Sequence, residues 1–237
     1  MIKNILFDLD GTLINTYQSN FNHKFFESID KKFNDFGYEG KSLSKIVLEG
    51  LAVMVNNDGK NSNEEAFWKY FEKKSSIKKE NVINIFEEFY NNEYDGLNDC
   101  VEKINASKEA ISILKDKGYN LILATNPLFP KIAIEKRASW GDICCSDFSY
   151  ITSYENSHYA KPNVNYYREI MENNNLNNEE TMMFGNDLIE DLAVESLNVP
   201  CYIITDNMLN KENLNSCTKK GNYNEFLQFI YNLPKIN

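Results

Sequence analysis

Two aspartates stand two residues apart near the start of the chain, Asp8 and Asp10 in Phe7-Asp8-Leu9-Asp10-Gly11-Thr12. At the end of a strand, that spacing can point both side chains into one pocket as the chain turns at Gly11. Paired carboxylates invite a cation. Mg²⁺ takes a few carboxylate or carbonyl oxygens and keeps water and substrate phosphate in its other positions, so a partly open site suits it. A second acidic pair, Asp187 and Asp191 in Gly185-Asn186-Asp187-Leu188-Ile189-Glu190-Asp191, has the four-residue spacing that places both on one face of a starting helix. Each piece alone has a plainer explanation, Asp-x-Asp-Gly as a turn and Asn186-Asp187 as a helix N-cap. A calcium loop is excluded, because with Asp8 first Gly11 would be its fourth residue rather than its sixth.

Taken with Thr125 and Lys161, these acids make sense as a phosphoryl-transfer site. A carboxylate can attack phosphorus to form an aspartyl-phosphate, provided the negative charge of the substrate is screened. Mg²⁺ and a lysine supply that screening. A hydroxyl and backbone N–H groups can hold the equatorial oxygens, and positioning with charge stabilisation is most of what this transfer requires. An acid beside the nucleophile can protonate the leaving oxygen and then deprotonate the hydrolytic water.

Such groups converge only if the elements bring them to one edge. The apolar run at 3–7 ends at the Asp8 turn, as a buried strand ends at its carboxyl edge. From about Ser19 to Tyr90 the apolar period is helical instead: Phe21, Phe25, Ile29 and Phe33, then Leu43, Val47, Leu51 and Val55. Ser62-Asn63-Glu64-Glu65 has capping-box spacing, and the region predicts about four helices without strands, left through 91–99. Beyond it an α/β alternation is expected. Helices are placed near 106–117, 131–138, 163–172, 189–197 and 224–231, and strands at 120–124, 148–152, 181–184 and 201–204. Asp8, Thr125 and Asp187 then each follow a strand, at the edge where open parallel sheets bind ligands.

The bulk properties agree with an enzyme and exclude some alternatives. A 42% hydrophobic and 13% aromatic composition over 237 residues suffices for a folded core, in one domain or in one with an insertion. A net charge of −10 without a basic stripe repels nucleic acid. The acidic N-terminal residues do not suit a signal peptide, and no run reaches membrane-span length, so a cytoplasmic protein without membrane contact is expected. The five cysteines, Cys100, Cys144, Cys145, Cys201 and Cys217, contain no C-x-x-C pair and indicate neither a zinc site nor a disulfide framework. Oligomeric state is not legible.

In order and spacing, these motifs resemble the haloacid dehalogenase superfamily, whose members are mostly phosphatases. The first motif, D-x-D-G-T, is matched by Asp8 to Thr12; the second, a Ser or Thr ending a hydrophobic strand, by Thr125. The third is Lys161 before Pro162, and the fourth the acidic cluster from Gly185 to Asp191, where Asn186 interrupts the commoner Gly-Asp form. The resemblance implies a three-layer, doubly wound parallel-sheet core over 1–16 and 98–237, with 17–97 as an all-helical cap. It implies Asp8 as nucleophile, Asp10 as acid/base, and Thr125, Asn126 and Lys161 around the phosphate. Mg²⁺ would be held by Asp8, the Asp10 carbonyl and Asp187, with Asp191 direct or one layer behind. Dehalogenases of the superfamily lack an acid at the Asp10 position and need no metal, so the expectation is a phosphatase acting on a small phosphorylated metabolite. The alternatives are a phospho-accepting switch and a binding protein with little turnover. Asn15, Thr16 and Tyr17, where core becomes cap, and His23 and Lys24 on the first cap helix are the first places to look for specificity; these and His158 also fit ordinary structural roles.

Overall fold

In the computed structural model, which describes residues 1–216 and 219–236, the apolar run at the N-terminus is strand β1 (Asn4–Phe7), in the centre of a parallel sheet. The described residues also contain β2 (Ile14–Thr16), β3 (Val101–Lys103), β4 (Asn120–Leu123), β5 (Tyr150–Ile151), β6 (Thr181–Gly185), β7 (Cys201–Ile204) and β8 (Lys219–Gly221). The main sheet has the order β5-β4-β1-β6-β7-β8, every adjacent pair parallel. Beyond β1 it runs outward both ways, so β4 and β6 flank the strand that ends at Asp8.

Alternation along the strands separates two layers of core. Ile5 and Phe7, Leu121 and Leu123, and Met182 and Phe184 pack with α5 (Asn105–Asp116), α6 (Lys131–Trp140) and α8 (Tyr223–Asn232). Leu6, Ile122, Met183 and Ile203 face α7 (Val164–Asn173). A central strand buried on both faces must be apolar throughout, which is why β1 was legible as an unbroken run. The expected three-layer α/β architecture is present.

The helical region contains α1 (Gln18–Asp35), α2 (Gly40–Val55), α3 (Asn63–Ser75) and α4 (Lys79–Asn91), closed by a 3₁₀ stretch at Glu93–Cys100. It has an apolar cluster of its own, in which Phe25, Phe33, Phe67, Phe71, Phe86 and Phe89 meet mostly edge to face. The capping box forms as expected, with Ser62 accepting from the Glu65 N–H and Glu65 accepting from the Ser62 N–H. The short antiparallel pair of β2 and β3 brings the two connections to this region side by side.

Several expectations need correction. The stripe Leu43, Val47, Leu51, Val55 does not all face inward: Leu43, Val47, Gly50 and Met54 are buried, whereas Val55 is exposed. A strict four-residue repeat drifts about 40° per step on a helix of 3.6 residues per turn. α1 tolerates that drift because α2, α4 and the 3₁₀ stretch surround it; α2 packs mainly on α1 and α3. No α-helix spans 189–197. Only Leu192–Leu197 is helical, as 3₁₀, because side chains occupy the backbone groups that a starting helix would leave open. Asp187 Oδ1 accepts from the N–H groups of Ile189 and Glu190, and Asp191 Oδ2 from those of Asn186 and Asp187. The strand expected at 148–152 shortens to two residues, and β2, β3 and β8 were not anticipated. Cys217 lies outside the described residues. Among the described residues, no helix is long and apolar enough to cross a membrane.

Candidate active site

The turns after β1, β4 and β6 surround a cavity of about 270 Å³, lined by Asp8, Asp10, Thr125, Asn126, Asp187, Glu190 and Asp191 among others. Parallel register explains the convergence. Phe7 pairs with Leu123 on one side and Phe184 on the other, so the residues that follow these strands emerge at one edge. Gly11 takes the left-handed conformation at φ +85°, and a β-carbon there would lie 2.2 Å from Asn186 Nδ2, so glycine lets the first turn approach the fourth motif. Tyr223 of α8 donates to the carbonyls of Gly11 and Thr12, at 3.1 and 3.2 Å, and fixes that turn from below.

Lys161, 1% exposed, links two of the acids: its Nζ lies 2.7 Å from Asp8 Oδ1 and 2.6 Å from Asp191 Oδ1. One cation therefore serves two buried carboxylates. Burial pushes the Asp8 carboxyl up to about 8; Lys161 opposes that shift and Asp191 adds to it. Burial works against the Lys161 ammonium, but Asp191 and Asp8 together hold its pKa well above the ordinary lysine value. The balance for Asp8 is upward, since half a lysine does not offset a desolvated carboxylate.

Both Asp191 oxygens are engaged, Oδ1 with Lys161 and Oδ2 with the Asn186 and Asp187 N–H groups at 2.9 and 3.0 Å. A β-carbon at Gly185 would meet that Oδ2 at 2.2 Å, so the glycine makes room for the carboxylate. Asp187 Oδ1 accepts from two backbone N–H groups and from Asn210 Nδ2 at 2.7 Å. Among the described residues, the second oxygens of Asp8 and Asp187 have no hydrogen-bond partner. Thr125 is buried at the cavity wall, its carbonyl held by Thr152 and Tyr166 at 2.7 and 2.8 Å. The Asn126 side chain accepts from the Lys161 N–H and donates to Glu190 Oε2 at 3.1 Å.

Asp10 is held from two sides, by the Thr16 hydroxyl at 2.6 Å and by Nη1 of Arg137 at 2.5 Å. Arg137 was not anticipated. Within Glu135-Lys136-Arg137 it reads as one more solvated charge, and only the seating of α6 buries it. Glu190 was also passed over, although it lines the cavity; burial pushes its carboxyl up to about 7, against the opposing pull of Lys161. Of the positions singled out at and beyond the core–cap junction, Thr16 bonds one of the candidate aspartates, Asp10. Asn15 and Tyr17 both bond Glu102, Lys24 pairs with Asp99, and His23 lies exposed beside Glu27. His158 pairs with Glu169 at 2.6 Å, outside this cavity.

Metal fit can be judged from the donors. Among the described residues, no group of three or more His, Cys, Asp or Glu side chains forms a cage by itself. What the cavity offers is hard oxygen from two carboxylates, Asp8 and Asp187, with an excess of negative charge over Lys161 and Arg137. That set suits a small divalent cation completed by water, a backbone carbonyl and phosphate, rather than a closed structural site.

Known proteins share sequence and fold with this chain. The chain is 24% identical over 184 residues to pyrophosphatase PpaX of Bacillus mycoides (strain KBAB4), covering 78% of this chain and 74% of that one. Its fold matches an HAD phosphatase from Thermococcus onnurineus, with TM-score 0.62, 17% identity, and 99% and 100% of the two chains covered. It also matches L-2-haloacid dehalogenase from Xanthobacter autotrophicus, with TM-score 0.56, 10% identity, and 98% and 100% covered. One fold thus accommodates two reactions, and the site rather than the architecture must discriminate between them. With residues 2–194 matching the model of the haloacid dehalogenase-like hydrolases, this chain belongs to that family of enzymes.

Proposed function

We propose that the chain is a Mg²⁺-dependent phosphatase of small phosphorylated metabolites, working through an aspartyl-phosphate on Asp8. The observation that carries this reading is Asp10, a second carboxylate two residues from the nucleophile and anchored by Thr16 and Arg137. An acid there has a task in ester hydrolysis and none in displacing halide. Asp8 forms the bond to phosphorus while the bond to the ester oxygen breaks and Asp10 delivers a proton to that oxygen. Asp10 then takes a proton from water as the water attacks phosphorus and releases Asp8. Lys161 balances charge at the nucleophile, and Thr125 with the Asn126 N–H receives the phosphoryl oxygens. Asp8, Asp187 and the Asp10 carbonyl would hold Mg²⁺, whose charge offsets that of phosphate when bound. Asp191 acts through Lys161 and the loop that carries Asp187.

The helical segment, about 17–97, serves in this reading as a cap that limits the substrate. Gln18 of α1 and the apolar side chains of Leu128, Phe129 and Leu209 complete the cavity wall, whose size suits a small molecule. Because one relative is named a pyrophosphatase, inorganic pyrophosphate belongs in the substrate panel beside aryl and alkyl phosphates. Phosphate release is expected with Mg²⁺, and it should vanish with chelator and in Asp8→Asn. Activity surviving both losses would sink the proposal, and a phospho-Asp8 species persisting for minutes would favour a switch.

A further inference from the structure

Arg137 has no role in the motifs, yet it is built into the site. It lies in α6, 4% exposed, and donates to Asp10 Oδ2 at 2.5 Å. Its guanidinium lies 4.9 Å from the ring centre of Phe129, after β4, and 5.7 Å from that of Phe21, in α1. Its Nε is buried without a hydrogen-bond partner. Burying a guanidinium so completely is costly, and exposed lysines would balance charge at less cost. What a buried arginine adds is a fixed planar donor.

Resting on the phosphatase reading, we propose that Arg137 is a positioning residue that fixes the Asp10 carboxyl relative to Asp8, and that Phe21 makes this placement depend on the seating of the helical segment. Thr16, at the end of β2 where the chain enters that segment, holds the other carboxylate oxygen. Both contacts to Asp10 therefore sense where core meets cap. Withdrawal of α1 takes the Phe21 ring off the guanidinium, loosens Arg137, and leaves Asp10 poorly aimed. Proton transfer is then impaired while Asp8 and Lys161 stay in place.

The consequence is specific to the leaving group. In the first half-reaction an Asp8 oxygen bonds to phosphorus, the phosphorus–ester oxygen bond breaks, and the Asp10 proton passes to that oxygen. An alkoxide needs this proton; 2,4-dinitrophenolate leaves without it. We therefore compare kcat/KM for ethyl phosphate and 2,4-dinitrophenyl phosphate, with Mg²⁺, in wild type, Arg137→Met and Arg137→Lys. Arg137→Met is expected to lose about 100-fold on ethyl phosphate and less than about 5-fold on the dinitrophenyl ester. Arg137→Lys, which keeps the charge without the planar guanidinium, should fall between. Because the ratio of the two substrates does not depend on how much variant is folded, a poorly folding Arg137→Met leaves Arg137→Lys to carry the test. Phe21→Leu should shift the same ratio in the same direction, by about threefold or more.

Equal losses on both esters would overturn the proposal and make Arg137 a packing residue. A larger loss on the dinitrophenyl ester would also overturn it, by placing Arg137 on the phosphoryl group. An unchanged ratio in Phe21→Leu would remove the coupling to the helical segment. Wild type inactive on every phosphate ester would overturn the phosphatase reading and this inference with it.

Discussion

Asp8 and Asp191 share Lys161 at 2.7 and 2.6 Å, and one cation between two buried carboxylates leaves a negative charge uncompensated. The charge has a consequence for stability. Asp8 has a carboxyl pKa of 3.8 when unperturbed and about 8 in the fold, so between those values the folded chain binds a proton that the unfolded chain releases. Stability is then highest below about pH 4 as far as this group is concerned, and falls as pH rises toward 8. In chelator, urea melts across about pH 5 to 8 should show wild type losing stability relative to Asp8→Asn, at most by about 1.4 kcal/mol per pH unit. Added Mg²⁺ should flatten the difference, because a cation favours the carboxylate; parallel slopes throughout would mean Asp8 stays charged without metal. At this scale the candidate residues were legible where spacing is short and covalent. Asp8 and Asp10 need only a strand end and a glycine to reach one pocket. Arg137 and Glu190 were not, because nothing local distinguishes a buried charge from a solvated one.

The loops carrying Asn126 and Lys161 are tied to α3 by its first residue. Asn63, fully buried, donates from Nδ2 to the carbonyls of Pro127 and Tyr159 at 3.2 Å, and its N–H donates to Ser157 at 2.8 Å. Asn63→Ala strands two carbonyls and should cost about 1–3 kcal/mol. It should also raise KM, since in the proposed reading the unfastened loops carry the residues that receive the phosphate. Its neighbour provides the control: Ser62→Ala removes a cap for about 1 kcal/mol and should leave KM unchanged. Chemical denaturation with steady-state kinetics on both variants checks this, and an Asn63→Ala protein with ordinary KM would separate the helix from the site. The capping box was legible because it is encoded within four residues. The missing helix over 189–197 was not, since its pattern is helical and only the carboxylates of Asp187 and Asp191, drawn into the site, take the N–H groups at its start. β8, with two exposed lysines and a glycine, has no apolar signature because it is an edge strand.

Across the whole molecule, a net charge of −10 surrounds a site meant, in our reading, for an anion. Lys161 and Arg137 are each already paired with aspartates of the site, so a dianionic substrate approaches against the field of the chain. Raising ionic strength from about 10 to 150 mM at fixed free Mg²⁺ should raise kcat/KM for a phosphate ester about two- to fivefold, as repulsion beyond a Debye length is screened. Stopped assays over that range test it, and a falling kcat/KM would show that local cations dominate capture. The same scale separates what each level of description determined. By itself the sequence determined the α/β class, the helical insertion after the first strand and the acids, threonine and lysine of the candidate site, because strand periodicity and motif spacing are properties of short stretches. Only the tertiary structure decided that Lys161 is divided between Asp8 and Asp191, that Asp10 is gripped by Arg137, and that Phe21 lies against that arginine. These are contacts between residues far apart along the chain, and burial, which turns an ordinary charge into a strong one, exists only after the chain has folded.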